Sequence, residues 1–139
     1  MKYSIILNLV VLCLLLSCTK TTHPEEEQAA VEAANQWLAL VDSAQYERSW
    51  EESSEIFQNA VSKSAWEQQL HGVRNPLGSL ISREVQSTQY ATSLPGAPDG
   101  EYVVITFRTS FENKKTAIET VTPMKNKLGV WRVSGYYIR

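Results

Sequence analysis

Cysteine, histidine and glycine are scarce in this chain of 139 residues, which holds two, two and six of them. Both cysteines, Cys13 and Cys18, fall within the first eighteen residues. The two histidines, His23 and His71, have no metal-ligand spacing, and no Ser-His-acid arrangement is suggested. No glycine-rich phosphate loop follows a strand, and the glycines match neither nucleotide-binding fingerprint. Charge of one sign is also missing: the formal net charge is −2, so the concentrated Lys and Arg of a dedicated nucleic-acid binder are absent. Aromatic residues are present, with four Trp, six Tyr and three Phe, and a disordered polyelectrolyte is excluded. The length admits one compact domain and no multidomain enzyme.

Long apolar runs are limited to one. Met1-Lys2-Tyr3 carries a positive charge, and Ile5 to Leu16 is apolar apart from Asn8. This is a signal-peptide pattern, shorter than the roughly 20 residues that a membrane-spanning helix needs. Leu15-Leu16-Ser17-Cys18 resembles the bacterial lipobox, in which a small residue precedes a cysteine that is acylated on sulfur and becomes the new N-terminus. The expected organisation is a lipoprotein signal peptide at 1–17, a lipidated cysteine and tether at 18–24, and a single α+β domain at 25–139. An ordinary secretory signal with a chance cysteine is the competing reading. Lipidation at Cys18 leaves the mature chain no thiol for a disulfide, a metal site or nucleophilic catalysis. Two or three acyl chains hold far more firmly than the single chain whose attachment is marginal. Thr19, not Asp, follows the lipidated cysteine. By resemblance to the Gram-negative sorting rule, this favours the periplasmic face of the outer membrane.

Beyond the tether, Pro24-Glu25-Glu26-Glu27 reads as a helix start, with Pro near N1 and acids at the positive end of the dipole. Ala30, Ala34, Trp37, Leu38 and Val41 give one apolar face running to about Asp42. A second helical stretch spans Tyr46 to Val61, with breaks near Ser53 and Ser54. Ser64-Ala65-Trp66-Glu67 fits a capping box, so a third helix places Trp66, Leu70 and Val73 on one side and stops between Gly72 and Pro76.

After Leu77-Gly78 the period changes to alternation, with strands expected over 79–91, 102–111, 115–122 and 130–138. Ile81 and Val85 share a face of the first. In the second, Val103, Ile105, Phe107 and Phe111 form one face and Tyr102, Thr106, Arg108 and Ser110 the other. Pro123 and Asn126-Lys127-Leu128-Gly129 separate the third from the fourth. The connector 92–100 carries two prolines and two glycines, as a rigid double turn requires. The expected architecture is α+β: N-terminal helices packed on a curved antiparallel sheet of about four strands, joined as a meander.

Charge follows the same division. Residues 18–70 hold three basic and ten acidic residues, whereas 71–139 hold nine and five, so helices and sheet attract. Arg74, Arg83, Arg108 and Arg132 converging on an anionic ligand is the sharper alternative. Among possible general bases Glu119 is the best placed, with pairing to Arg108 or Arg132 across the sheet as the ordinary explanation. His71 suits the negative end of its helix. The tryptophans at 37, 50, 66 and 131 are core residues that could also line a pocket, because the indole N–H needs a partner. Trp50, Trp66, Arg74 and Tyr136 are the candidate ligand-pocket residues; no catalytic residue, metal ligand or cofactor is assigned.

Several fixed words stand in order along the chain: Ala34-x-x-Trp37-Leu38, Tyr46-x-x-Ser49-Trp50, Arg74-x-Pro76-Leu77-Gly78, Leu94-Pro95-Gly96-x-Pro98-Asp99-Gly100, Glu119-Thr120-Val121-Thr122 and Trp131-Arg132-Val133-x-Gly135-Tyr136-Tyr137-Ile138. In these the chain resembles an uncharacterised bacterial domain-of-unknown-function family. That family is similar in layout to the nuclear-transport-factor-2-like superfamily, which implies a cone-like fold with helices set in a curved sheet. Members of that superfamily range from isomerases to binding modules, so the fold leaves function open. The expectation is a lipid-anchored envelope domain that binds a partner protein or small ligand without catalysis. The alternative is a small cone-fold enzyme or hydrophobic-ligand carrier using the interior. Related folds dimerise through their sheets, and Tyr102, Thr106 and Arg108 are the face expected to serve in a homodimer.

Overall fold

A computed structural model of the chain describes residues 22–139. The expected signal sequence, Cys18 and the first part of the expected tether lie outside the described residues. Helix α1 runs Pro24–Asp42, opening on Pro and three glutamates and burying Ala30, Ala34, Trp37, Leu38 and Val41, the face expected from their spacing. Ser43 caps it and Ala44 turns the chain in the left-handed region at φ 58°.

The second helical stretch is two short helices, α2 (Tyr46–Glu51) and α3 (Glu55–Ala60). The break at Ser53 and Ser54 has two causes. The Ser54 hydroxyl accepts from the Phe57 amide and starts α3, while the Ser54 amide donates to the Val133 carbonyl of the sheet at 2.8 Å. Helix α4 spans Lys63–Leu77. Its cap is Ser62, which accepts from the Ala65 amide, and not Ser64. It also runs one residue past the expected stop between Gly72 and Pro76: Pro76 is accommodated in the last turn, and the helix ends at Leu77, where Gly78 takes φ 74°. The buried stripe is therefore Trp66, Leu70 and Arg74, four residues apart, while Val73 stays 42% exposed.

Four antiparallel strands follow in the order β1-β2-β3-β4: β1 Leu80–Ala91, β2 Glu101–Phe111, β3 Lys114–Lys125 and β4 Trp131–Ile138. The fold is thus α+β, with the helices preceding the sheet in sequence. Pro123 does not end β3; it sits inside the strand at a register shift, where a missing ladder donor is tolerated. Further shifts fall at Leu80/Ser82, Val85/Ser87 and Thr109/Phe111, and bulges of this kind bend a sheet.

Val103, Ile105, Phe107 and Phe111 point to the core as expected, and Thr109 with them. Tyr102 departs from the expected exposed face. It is buried, its hydroxyl donating to the Pro98 carbonyl at 2.6 Å, because the 92–100 connector folds over it. Ile81 and Val85 remain exposed at the β1 edge.

The helices and strands share one direction of reference. At one end, Lys125 of β3 bonds Glu26 of α1 at 2.9 Å, and His23 stacks on Tyr90 of β1. At the other end, Asp42 closes α1 beside Arg74 and Arg83.

Candidate functional site

The interior between α1, α4 and the sheet is filled by aromatic rings. Trp37 lies 5.9 Å from Trp66 and 5.3 Å from Tyr136, and Phe57 meets Trp66 edge-on at 4.8 Å. Each of three indoles has its N–H satisfied within the protein. Trp37 Nε1 donates to the Ser49 carbonyl and Ser53 Oγ, Trp66 Nε1 to Ser49 Oγ, and Trp50 Nε1 to the Val61 carbonyl. Buried serines thus serve as acceptors that let tryptophan occupy the core without an orphaned donor.

Against this aromatic layer sits a buried charge network. Glu119 of β3 is fully buried, and both its oxygens are occupied. Oε2 accepts from Arg83 Nε and Thr109 Oγ1, each at 2.6 Å; Oε1 accepts from the Tyr136 hydroxyl at 2.7 Å and Arg83 Nη2 at 3.2 Å. The other edge of the Arg83 guanidinium grips Asp42 through Nη1 at 2.7 Å and Nη2 at 3.0 Å. Arg74 Nη2 adds a bond to Asp42 at 2.9 Å, and its guanidinium carbon lies 4.8 Å from the centre of the Phe111 ring. Two cations face two carboxylates, so formal charge cancels within the cluster. Arg83 bridges both acids with its planar fork, a geometry lysine does not reproduce. The carboxylates favour the charged form of Arg83 and hold its pKa above the ordinary value, although burial acts the other way. Burial, reinforced by the Glu119 charge and hydrogen bond, raises the Tyr136 phenol well above its usual range.

Arg74 Nε and Nη1 are buried without a protein partner. A cleft of about 260 Å³ opens beside them, lined among others by Asp42, Tyr46, Arg74, Ser79 and Glu112. Its two carboxylates make it an unfavourable seat for an anion.

Of the four candidate pocket residues, Trp66 and Tyr136 share the aromatic core, 6.3 Å apart, and Arg74 belongs to the adjoining network. Trp50 stands away from them, half-buried beneath Lys63. Glu119 pairs with Arg83 and not with Arg108 or Arg132. Arg108 points to the exposed face, and Arg132 bonds Glu52. The four arginines consequently do not converge: two meet on Asp42 and two are elsewhere. His71, expected against the helix terminus, meets the Tyr46 ring edge-on at 4.9 Å.

Read from the sequence, Asp42 has no role in a site and Arg83 stands only among arginines converging on an anion, not beside Glu119 and Asp42. A signal exists for Asp42, which stands four residues after buried Leu38 on the apolar face of α1, and for Arg74, four after buried Leu70. Arg83 carries none, because its partner depends on the register of a strand interrupted twice.

Among the described residues no group of His, Cys, Asp or Glu is arranged to hold a metal ion, and no helix is long and apolar enough to cross a membrane. A groove of about 610 Å³ lies elsewhere, between α3 and the two loops at the Lys125 end; Ile56, Gly100, Met124 and Leu128 contribute to its lining.

Helices laid on a four-stranded antiparallel meander, closed by a neutral four-charge cluster, define a small α+β domain with a polar lock in its core. The chain belongs to the family described as "Protein of unknown function (DUF4019)", which matches residues 33–136. No curated protein matches it.

Proposed function

We propose that this protein is a lipid-anchored bacterial envelope domain whose role is binding or interaction, without catalysis, and whose fold is a variant of the nuclear-transport-factor-2-like cone. The observation that carries the non-catalytic reading is the saturation of Glu119. A general base needs a free lone pair within reach of a substrate proton. Here four donors already surround the best-placed carboxylate, and the space a substrate would enter is filled by Trp37, Phe57, Trp66 and Tyr136. These same rings weigh against the enzyme or carrier that would use the cone interior. Ligand or partner contact then falls to surfaces.

The anchor rests on the lipobox resemblance at Leu15-Leu16-Ser17-Cys18, and the envelope location, on the periplasmic face of the outer membrane, rests on Thr19. Crosslinking in intact envelopes followed by denaturing recovery of the full chain tests the interaction role. Recovery of a discrete partner, retained when Glu119 is changed to Gln in a variant that still folds, supports it. Turnover of any small-molecule library member that disappears with the Glu119→Gln change contradicts it.

A further inference from the structure

The chain leaves the domain at a defined end. His23 stacks on Tyr90 with ring centroids 3.9 Å apart, Tyr90 donates to Glu101, and Lys125 holds Glu26 in the first turn of α1. The exit point is therefore fixed beside the 92–100 connector and the Asn126–Val130 turn. Six Cα–Cα steps separate Cys18 from Pro24, and fully extended they reach about 20 Å. Helix α1, with 19 residues, is about 28 Å long. An acyl chain on Cys18 thus holds the exit end near the bilayer, and the Asp42 end lies beyond the reach of the tether.

The exit end also presents apolar surface. Leu128 is 87% exposed and Val130 44%, and Leu128 lines the open groove with Ile56 and Met124. The turn that carries Leu128 is rigid. Asn126 Oδ1 accepts from the Leu128 and Val130 amides, the Asn126 carbonyl accepts from the Gly129 amide, and Gly129 takes φ 77°. Such a turn displays leucine at little further cost in chain entropy. Of the nearby acids, Glu26 is engaged by Lys125, Glu27 by Thr88 and Glu101 by Tyr90, while Glu55 and Asp99 line the groove. Lys127, next to Leu128, is free to lie among headgroups.

Resting on the lipid-anchor reading, we propose that the Asn126–Val130 turn docks on the bilayer surface, with Leu128 entering the headgroup and upper acyl region and the groove turned toward lipid. Apolar contact, not charge, carries the docking, so it persists in zwitterionic membranes.

The test uses the full acylated chain carrying Leu128→Cys or, on the exposed far end of β3, Lys115→Cys, each labelled with a fluorophore and reconstituted in phosphatidylcholine vesicles with nitroxide-labelled lipid. Quenching at position 128 severalfold above that at 115 is expected, unchanged by salt. A chain that floats with the vesicles yet shows equal quenching at both positions, or more at 115, overturns this proposal and leaves the anchor standing. So does a label at 128 that is unquenched in vesicles but shielded in native envelopes, which assigns the turn to a protein partner. A free Cys18 thiol, or failure to float, overturns both.

Discussion

Glu119 and Arg83 show how one buried pair organises its surroundings. Each carboxylate oxygen of Glu119 takes two donors, from β1, β2 and β4, so the residue ties three strands to its own. Taking either charge away leaves the other uncompensated in the interior, which costs about 3–5 kcal/mol. Arg83→Met is therefore expected to lower stability by that amount in urea titration, and Thr109→Val, which removes one of several donors, by about 1 kcal/mol. Tyr136 adds a pH dependence. Its folded pKa lies above the unfolded value near 10. The unfolded chain thus loses this proton first, and the contribution of the neutral phenol is full below pH 10 and declines as pH rises beyond it. Tyr136→Phe costs about 1 kcal/mol at neutral pH through the lost bond to Glu119. It should flatten the fall in melting temperature between pH 10 and 11.5; an unchanged slope would contradict the assignment.

At the scale of elements, helix ends decide where the chain turns. Ser54 and Ser62 cap α3 and α4, and Ser→Ala at either should cost about 1 kcal/mol, measured by thermal unfolding. Gly78→Ala should cost more. Beyond the strain of φ 74°, an added Cβ would stand 2.8 Å from Glu112 Oε2 and 2.9 Å from Glu112 Cβ at the β2–β3 hairpin. The periodicity of α1 and β2 makes their buried faces legible in the sequence almost residue by residue, because each packs one face against the core without interruption. Helix α4 is legible in position but not in extent: Pro76 reads as a stop, yet a proline in a last turn forfeits only one hydrogen bond near a terminus. Strand β1 hides more. Two register shifts interrupt its pairing, and Arg83 shares its face with Val85, which stays exposed on the edge strand, so nothing local announces that Arg83 meets Glu119. The aromatic half of the core was accordingly visible from spacing, and the ionic half was not, since its partners are 32 to 41 residues apart in sequence.

At the scale of the molecule, charge and shape divide along one axis. Acidic helices meet a basic sheet through Glu26–Lys125, Asp42–Arg83 and Glu52–Arg132, which accounts for the unequal charge of the two halves of the chain. The polar lock stands at one end, and the chain exit, the open groove and Leu128 stand at the other. The proposed binding role falls to the surface, because the interior is filled by rings and ion pairs. On the proposed reading, the cellular role depends on attachment through Cys18. Mass spectrometry of the N-terminal peptide from the native, envelope-extracted protein tests that attachment directly. The account predicts a chain beginning at Cys18 with the mass of a diacylglyceryl group, with or without a further acyl chain. A peptide retaining residues 1–17, or one with an unmodified thiol at Cys18, would contradict it.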